Sequence, residues 1–423
     1  MHLTALSPVA PTILSCDVGR VRLNLTCSAL SRPGAVAEWD IANRSIAITE
    51  TLSMIRTAAL ARGMERLLLV AEPTGSYHVL LFKIAKSLGF ETAFVDGGHV
   101  AKMRSVLFGD DGKTDLRDPH AIAAVAEQGR LIVDRSRPET YQLLRLWGKL
   151  YHDAECALIA AKSRIHHALL LLFPDLDFST DFIYSDSGRA IFHCYRFNPH
   201  SIAAHAPSRI HARLRSRSNI RRSSVERLLA QARATVNATT ASRVTALFER
   251  ELILAWLDFE LAESRRKEAR VALEDLYDEA RSTDDHLPEL AGTPIAKAAF
   301  ARFLGEAGPL SGYSSWKQLL RMGGVNLRER KSGKYVGQTR IARTGRPLYR
   351  AIINQMALAT VRRNRLYGPY YHQKLSVQKM PGAKAMTAVA RKIVKMLFGW
   401  YRSGTAFDAS RVFTCQAQHR RAA

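Results

Sequence analysis

Acidic side chains are scarce: the 423 residues hold 38 Asp and Glu against 62 Lys and Arg, a formal charge of +24. Such an imbalance argues for a polyanionic partner, most often nucleic acid, because neutralising phosphates releases condensed counterions. Charge alone also fits a ribosomal or a membrane-surface protein. Long apolar runs are missing as well. No window approaches the roughly 18 apolar residues of a membrane span, and MHLTALSPVAPTILSCDVGR has no cationic stretch leading into an apolar one, as a secretory leader would. A soluble, cytoplasmic protein without a membrane partner is the expectation. The cysteines, Cys16, Cys27, Cys156, Cys194 and Cys415, lie far apart, without CxxC pairs or a His at zinc spacing. They read as reduced and structural. With 47% hydrophobic residues the chain is long enough for two or three domains, each with its own core, and a disordered tail protein is excluded as a class.

From Thr12 to Leu30 apolar and polar residues alternate across a Gly-Arg break, the pattern of two half-buried antiparallel strands joined by a tight turn, with Asp17 ending the first. Further strands are expected at 35–41, at Leu67–Ala71 (LLLVA, leading directly into Glu72) and in ETAFVD. Helices are expected at 49–62, at 77–88 before Gly89, and in PHAIAAVAEQG after Asp118. This α/β first domain closes near residue 136. Residues 137–168 and 224–280 carry i, i+3, i+4, i+7 apolar spacing over many turns, which predicts two long antiparallel helices, an arm covering 137–286. Between them 169–223 reads as an insertion, mixing Pro, Asp, His and Arg with Ser. A mainly α domain follows over 287–411, and 412–423 form a tail. Residues 321–402 hold nineteen Lys and Arg but one acid, Glu329, so this half carries the basic surface.

Four carboxylates stand at element ends in the first domain: Asp17, Glu72, Asp115 and Asp118. Asp115 and Asp118, at i and i+3 in KTDLRD, share one face of a helix start, where bare amides favour anions. Oxygen ligands without His or Cys suit Mg²⁺ or Mn²⁺ rather than zinc, and two such ions roughly 4 Å apart clamp the attacking and leaving oxygens of a phosphoryl transfer. Singly, each acid has a plainer reading: Asp17 a turn residue before Gly19, Glu72 a solvated strand end, Asp115 or Asp118 a helix cap. Asp96, Asp110 and Asp111 are nearby competitors.

The blocks CDVG, VAEPTGSY and GKTDLRDPHAIAAVA resemble the DEDD transposases of bacterial insertion sequences, the insertion sequence 110 family. The resemblance implies a ribonuclease H or Holliday-junction-resolvase-like fold for the first domain, with Asp17, Glu72, Asp115 and Asp118 as ligands of Mg²⁺ (or Mn²⁺). It extends to residues 287–411. In PELAGTPIAKAAFARFLGE, Gly292 precedes an Ala-rich helix, similar to the family's helix-hairpin-helix element, whose loop amides hold a DNA phosphate. Pro294 departs from that pattern by lacking an amide. SWKQLLRMGGVNLRERKSGKYVGQTRIARTGRPLYRAIINQMALATVRR resembles the second signature, and Ser332 stands where the family has its catalytic serine.

Around that serine Arg328, Arg330, Lys331 and Lys334 are suited to stabilising phosphate charge. Downstream, Arg340, Arg343, Arg346 and Arg350, then Arg362, Arg363 and Arg365, interleave with Tyr349, Tyr367, Tyr370 and Tyr371 as a nucleic-acid surface would, forks on phosphates and rings on bases. The plainer reading is a helical bundle with solvated cations. The final helix, KAMTAVARKIVKMLFGWYRSG, reads as core packing. The resemblance implies a nucleoid-associated bacterial recombinase that exchanges strands of double-stranded DNA through a phosphoserine link, a homo-oligomer (dimer or tetramer), and a structured guide RNA. Two other readings stay open from the residues: a metal-dependent nuclease or junction resolvase using water, and an inactive nucleic-acid-binding protein.

Overall fold

The computed structural model describes residues 11–30, 37–73, 75–109, 117–134, 137–239, 242–328, 331–332, 335–337, 339–363 and 367–409, and the chain divides into two compact units, Met1–Ser136 and Arg137–Ala423.

The first unit is a six-stranded sheet with helices on both faces. Its elements are β1 (Thr12–Val18), β2 (Arg22–Cys27), β3 (Ala37–Ala42), α1 (Ser45–Leu60), β4 (Leu67–Ala71), α2 (His78–Ser87), β5 (Glu91–Phe94), α3 (Gly97–Phe108), α4 (Asp118–Glu127) and β6 (Ile132–Val133), with strand order β3-β2-β1-β4-β5-β6. β1, β4 and β5 run parallel, while β2, β3 and β6 are antiparallel to their neighbours. Alternation along the strands sorts the faces. Leu14, Cys16, Leu67, Leu69 and Ala71 pack with Ile48, Leu52 and Ile55 of α1 and with Leu81 and Phe82 of α2. Leu68, Val70 and Ala93 point the other way, against Val100 of α3 and Ala121, Ile122 and Val125 of α4. Fully burying each of the larger side chains contributes roughly 1.5–3 kcal/mol, and all five residues of β4 are buried, as a central parallel strand requires. The helix α3 was not among the expected elements. Its Gly-Gly start reads as a loop in sequence, but Asp96 caps it by accepting from the His99 amide.

In the second unit α5 (Glu139–Leu172) leads to five short helices, α6 (Thr180–Ile183), α7 (Asp186–Tyr195), α8 (Pro199–Ala203), α9 (Pro207–Arg215) and α10 (Arg222–Ala238), and then to α11 (Arg243–Thr283). α5 and α11 lie antiparallel, since Thr140 donates to Glu279 near one end and Arg164 pairs with Asp258 at 2.7 Å further along. The single second helix expected over 224–280 is two: Thr239 is extended, and Ser242 starts α11 with a capping box to Thr245. The run NATTAS explains the break, because its Thr and Ser side chains compete for backbone groups. The insertion shares a core with α5, α10 and α11 around Trp256, which stacks on Phe192 at 4.2 Å between centroids.

The remainder comprises α12 (Lys297–Ala307), α13 (Trp316–Met322), β7 (Leu327–Arg328), β8 (Lys331–Ser332), β9 (Tyr335–Val336), β10 (Arg340–Ile341), α14 (Pro347–Arg363), α15 (Gly368–Ser376) and α16 (Gly382–Ser403). α12 is buried around its whole circumference, packed between α5, α11 and α14. Gly305 permits this: a Cβ there would lie 2.6 Å from the Leu144 carbonyl oxygen of α5. α16 buries Val389, Ile393, Val394 and Leu397 in the same core. Among the described residues no helix is long and apolar enough to cross a membrane.

Candidate functional sites

Cys16 of β1 faces Ala71 of β4 in parallel register, so Asp17 and Glu72 follow as neighbours at the carboxyl ends of adjacent strands. Both belong to the face covered by α3 and α4, opposite to that of Cys16 and Ala71. Asp17 is half-buried, and together with burial it pushes the adjacent Cys16 thiol up. Glu72 lies against the first turn of α3, where a Cβ on Gly97 would fall on its Oε1. The bare amides and dipole of that turn favour an anion.

Asp118 is the first residue of α4, which packs on β1, β2 and β4. It is 3% exposed, and its Oδ1 accepts from Arg104 Nε of α3 at 2.6 Å. Asp115 lies outside the described residues, as do Asp110 and Asp111. The structure thus brings Asp17 and Glu72 to one end and one face of the sheet, while Arg104 holds the carboxylate of Asp118. Among the described residues no three His, Cys, Asp or Glu side chains are gathered to hold a metal. An oxygen-only donor set and the glycine cradle around Glu72 nevertheless fit a hard divalent ion. Asp96 is accounted for by its capping role. Arg104 and Gly97, which lie against Asp118 and Glu72, are not singled out by the sequence pattern; the one signal for them is Asp96 standing before a helix.

The basic segment forms nested antiparallel pairs. Leu327 faces Ile341 and Arg328 faces Arg340; further in, Lys331 faces Val336 and Ser332 faces Tyr335. Ser332 therefore ends β8. Arg330 and Lys334 lie outside the described residues, and for Lys331 and Ser332 the backbone alone is described. Arg328 and Arg340 are exposed and directly opposite one another across this pair. At the base of the hairpin Gly324 (φ +63°) and Gly345 (φ +118°) let the backbones touch, since a Cβ on Gly324 would collide with the Thr344 carbonyl. Arg343, also at positive φ, is exposed.

Arg346 and Arg350 are placed differently. Arg346 donates to the Glu306 carbonyl of α12 and lies 3.7 Å from its carboxylate, and burial lowers its pKa. Arg350 donates to the carbonyls of Gly323 (3.0 Å) and Gly345 (3.2 Å). Both arginines thus tie the hairpin base together. The tyrosine surface read from sequence needs correction: Tyr349 and Tyr367 are wholly buried, and Tyr370 and Tyr371 pack against the same core. Their spacing followed α14 and α15, whose inward faces need large apolar bodies. Gly292 (φ +72°) does lie in a loop before a helix, but that helix is the buried α12. The cysteine expectation holds for Cys16 and Cys27, which are buried, whereas Cys156 is exposed.

Two family models match the chain. One, described as "Transposase" and of the DEDD, IS110 type, covers residues 26–174, and one described as "Transposase IS116/IS110/IS902 family" covers residues 291–372. The first spans Glu72, Asp115 and Asp118 and leaves Asp17 outside, while the second spans Ser332 and the arginines from Arg328 to Arg350. Together they take in more than half of the chain. No curated protein matches it.

Proposed function

We propose, from the premise that this chain belongs to the IS110 family of transposases, that it cleaves and exchanges DNA strands through Ser332, assisted by divalent metal. The first unit is read as ribonuclease H or resolvase-like; strand order β3-β2-β1-β4-β5 with parallel β1, β4 and β5 supports that reading. The observation that carries the metal site is the pair Asp17 and Glu72, side by side at the strand ends and facing the helices. Asp17, Glu72, Asp115 and Asp118 would hold Mg²⁺ or Mn²⁺, which supplies charge neutralisation at a phosphodiester.

The protein's own groups do the rest. Ser332 Oγ attacks phosphorus, forming a phosphoserine ester as the bond to the leaving sugar oxygen breaks; the serine proton is lost and that oxygen takes one up. Arg328, Arg330, Lys331, Lys334, Arg340 and Arg343 hold the phosphates and stabilise the developing charge. Strand exchange reverses the step on a new 5′ or 3′ hydroxyl. A guide RNA and a homo-oligomer belong to the same reading. Exposed Leu247, Leu254 and Leu261 at heptad spacing along α11 support self-association.

Incubation with a nicked DNA substrate and Mg²⁺, followed by denaturing electrophoresis, tests the serine. Wild type is expected to give a covalent protein–DNA band that Ser332→Ala loses along with strand transfer. A Ser332→Ala protein that cuts and joins at the wild-type rate would return the chemistry to a water-using nuclease. RNA sequenced from the purified protein as a single defined species would support the guide; a random mixture would count against it.

A further inference from the structure

Residues 175–290 lie outside both family matches, and one corner of them is strongly basic. Between 207 and 225 there are six arginines, Arg209, Arg213, Arg215, Arg217, Arg221 and Arg222, and neither Lys nor an acid. All six are exposed. They decorate one corner: α9, the connection 216–221, and the start of α10, which packs on α9. The corner is rigid, because Ile210, Leu214, Ile220 and Val225 anchor it in the core around Trp256.

We propose that this corner is a docking surface for the phosphate backbone of double-stranded DNA, an inference that rests on the transposase reading above. Elsewhere on the helical arm several arginines are matched to acids: Arg189 to Glu263 at 2.7 Å, Arg227 to Asp177 at 2.8 Å, and Arg164 to Asp258 at 2.7 Å. At the corner Arg222 reaches Glu226 at 3.3 Å and Arg213 lies over the Tyr195 ring, 5.2 Å from its centroid. Arg209, Arg215, Arg217 and Arg221 have no acidic ion-pair partner among the described residues. Charges this close repel within a screening length of roughly 8–10 Å.

The placement at α10 adds a second, independent strain. A helix start favours acids, but the first turn of α10 has none and Arg221 and Arg222 flank it. A polyanion relieves both costs at once. Arginine in place of lysine throughout fits phosphate oxygens, which the planar guanidinium engages in pairs. A solvated surface has no need of that uniformity.

The test uses the full chain with Arg209, Arg215, Arg217 and Arg221 all changed to Gln, and a version with all four changed to Lys. Binding to a fluorescent 25-base-pair duplex is measured across a KCl series. At about 0.9 per lost phosphate contact, four contacts in all, the Gln variant is expected to lower the slope of log K against log salt by about 3.6, with at least ~10-fold weaker binding. The Lys variant keeps the slope within about one unit. The surface is overturned if the Gln variant keeps the parent slope, or if it loses binding to an RNA hairpin while duplex DNA binding is unchanged. A parent protein with no affinity for the duplex overturns the transposase reading itself, which separates the two failures.

Discussion

Arg104 of α3 donates to Asp118 of α4 at 2.6 Å, a pair in which the aspartate side chain is 5% exposed and the arginine 20%. A cationic side chain thus occupies the carboxylate that family resemblance assigns to metal. Removing the arginine takes an ion-pair partner from a buried anion, which costs about 1–3 kcal/mol. Arg104→Gln is therefore expected to unfold at lower temperature in the absence of metal and to recover part of the loss with Mg²⁺, a larger rise than wild type gains. Thermal unfolding with and without Mg²⁺ checks this. Equal rises in the two proteins would mean that Arg104 and metal do not compete for Asp118.

Gly97 and Glu72 give a second prediction. A methyl at position 97 falls on the Glu72 carboxylate, which is the far end of a flexible side chain, so the acid moves rather than the backbone. Gly97→Ala should change stability by less than about 1 kcal/mol while raising the Mg²⁺ concentration for half-maximal cleavage roughly tenfold, the effect of about 1.4 kcal/mol on metal binding. A metal titration of strand cleavage beside a urea melt separates the two effects. A large stability loss without a shifted metal requirement would make Gly97 a packing residue only.

Glu306, 5% exposed in α12, serves as counter-ion to a cluster of arginines. Arg145 lies 3.4 Å and Arg346 3.7 Å from its carboxylate, while Arg137 donates to its carbonyl at 3.2 Å. Burial, with Arg346 and Arg145 nearby, lowers the Arg137 pKa to about 10. Glu306→Gln should cost about 1–3 kcal/mol by removing the buried carboxylate that the surrounding arginines face, and Arg346→Met in the same chain should restore part of it. Additive losses in urea unfolding would dissolve the cluster as an energetic unit.

Tyr349 is wholly buried, burial pushes its hydroxyl well above the usual phenol range, and that hydroxyl has no hydrogen-bond partner among the described residues. Tyr349→Phe removes an unsatisfied polar atom without changing shape. It is expected to be neutral or stabilising by about 1 kcal/mol and to leave DNA affinity untouched. Weaker DNA binding by this variant would place the ring in the interface after all.

Much of the first unit was legible because its strands and helices are periodic. LLLVA is β4 residue for residue, and the alternation around Asp17 yields β1 and β2. The helix α3 escaped because Gly97 and Gly98 read as a break, whereas they are the close-approach positions beside Glu72 and Asp96. The tyrosines of α14 and α15 were misread for a different reason: a ring spaced along a basic helix looks the same in sequence whether it faces solvent or core.

By itself the sequence determined the acids at strand ends, the basic half, and the motifs that tie the chain to its family. These are local properties, set by side-chain chemistry and by the periods 2 and 3.6. Tertiary structure alone decided what each charge meets: that Glu72 rests on Gly97, that Asp118 is held by Arg104, that Arg346 and Arg350 turn inward while Arg328 and Arg340 stay exposed. Those outcomes depend on partners far away in sequence, 40 residues in the case of Arg346 and Glu306. Interaction energies depend on distance and burial, which the order of residues does not state.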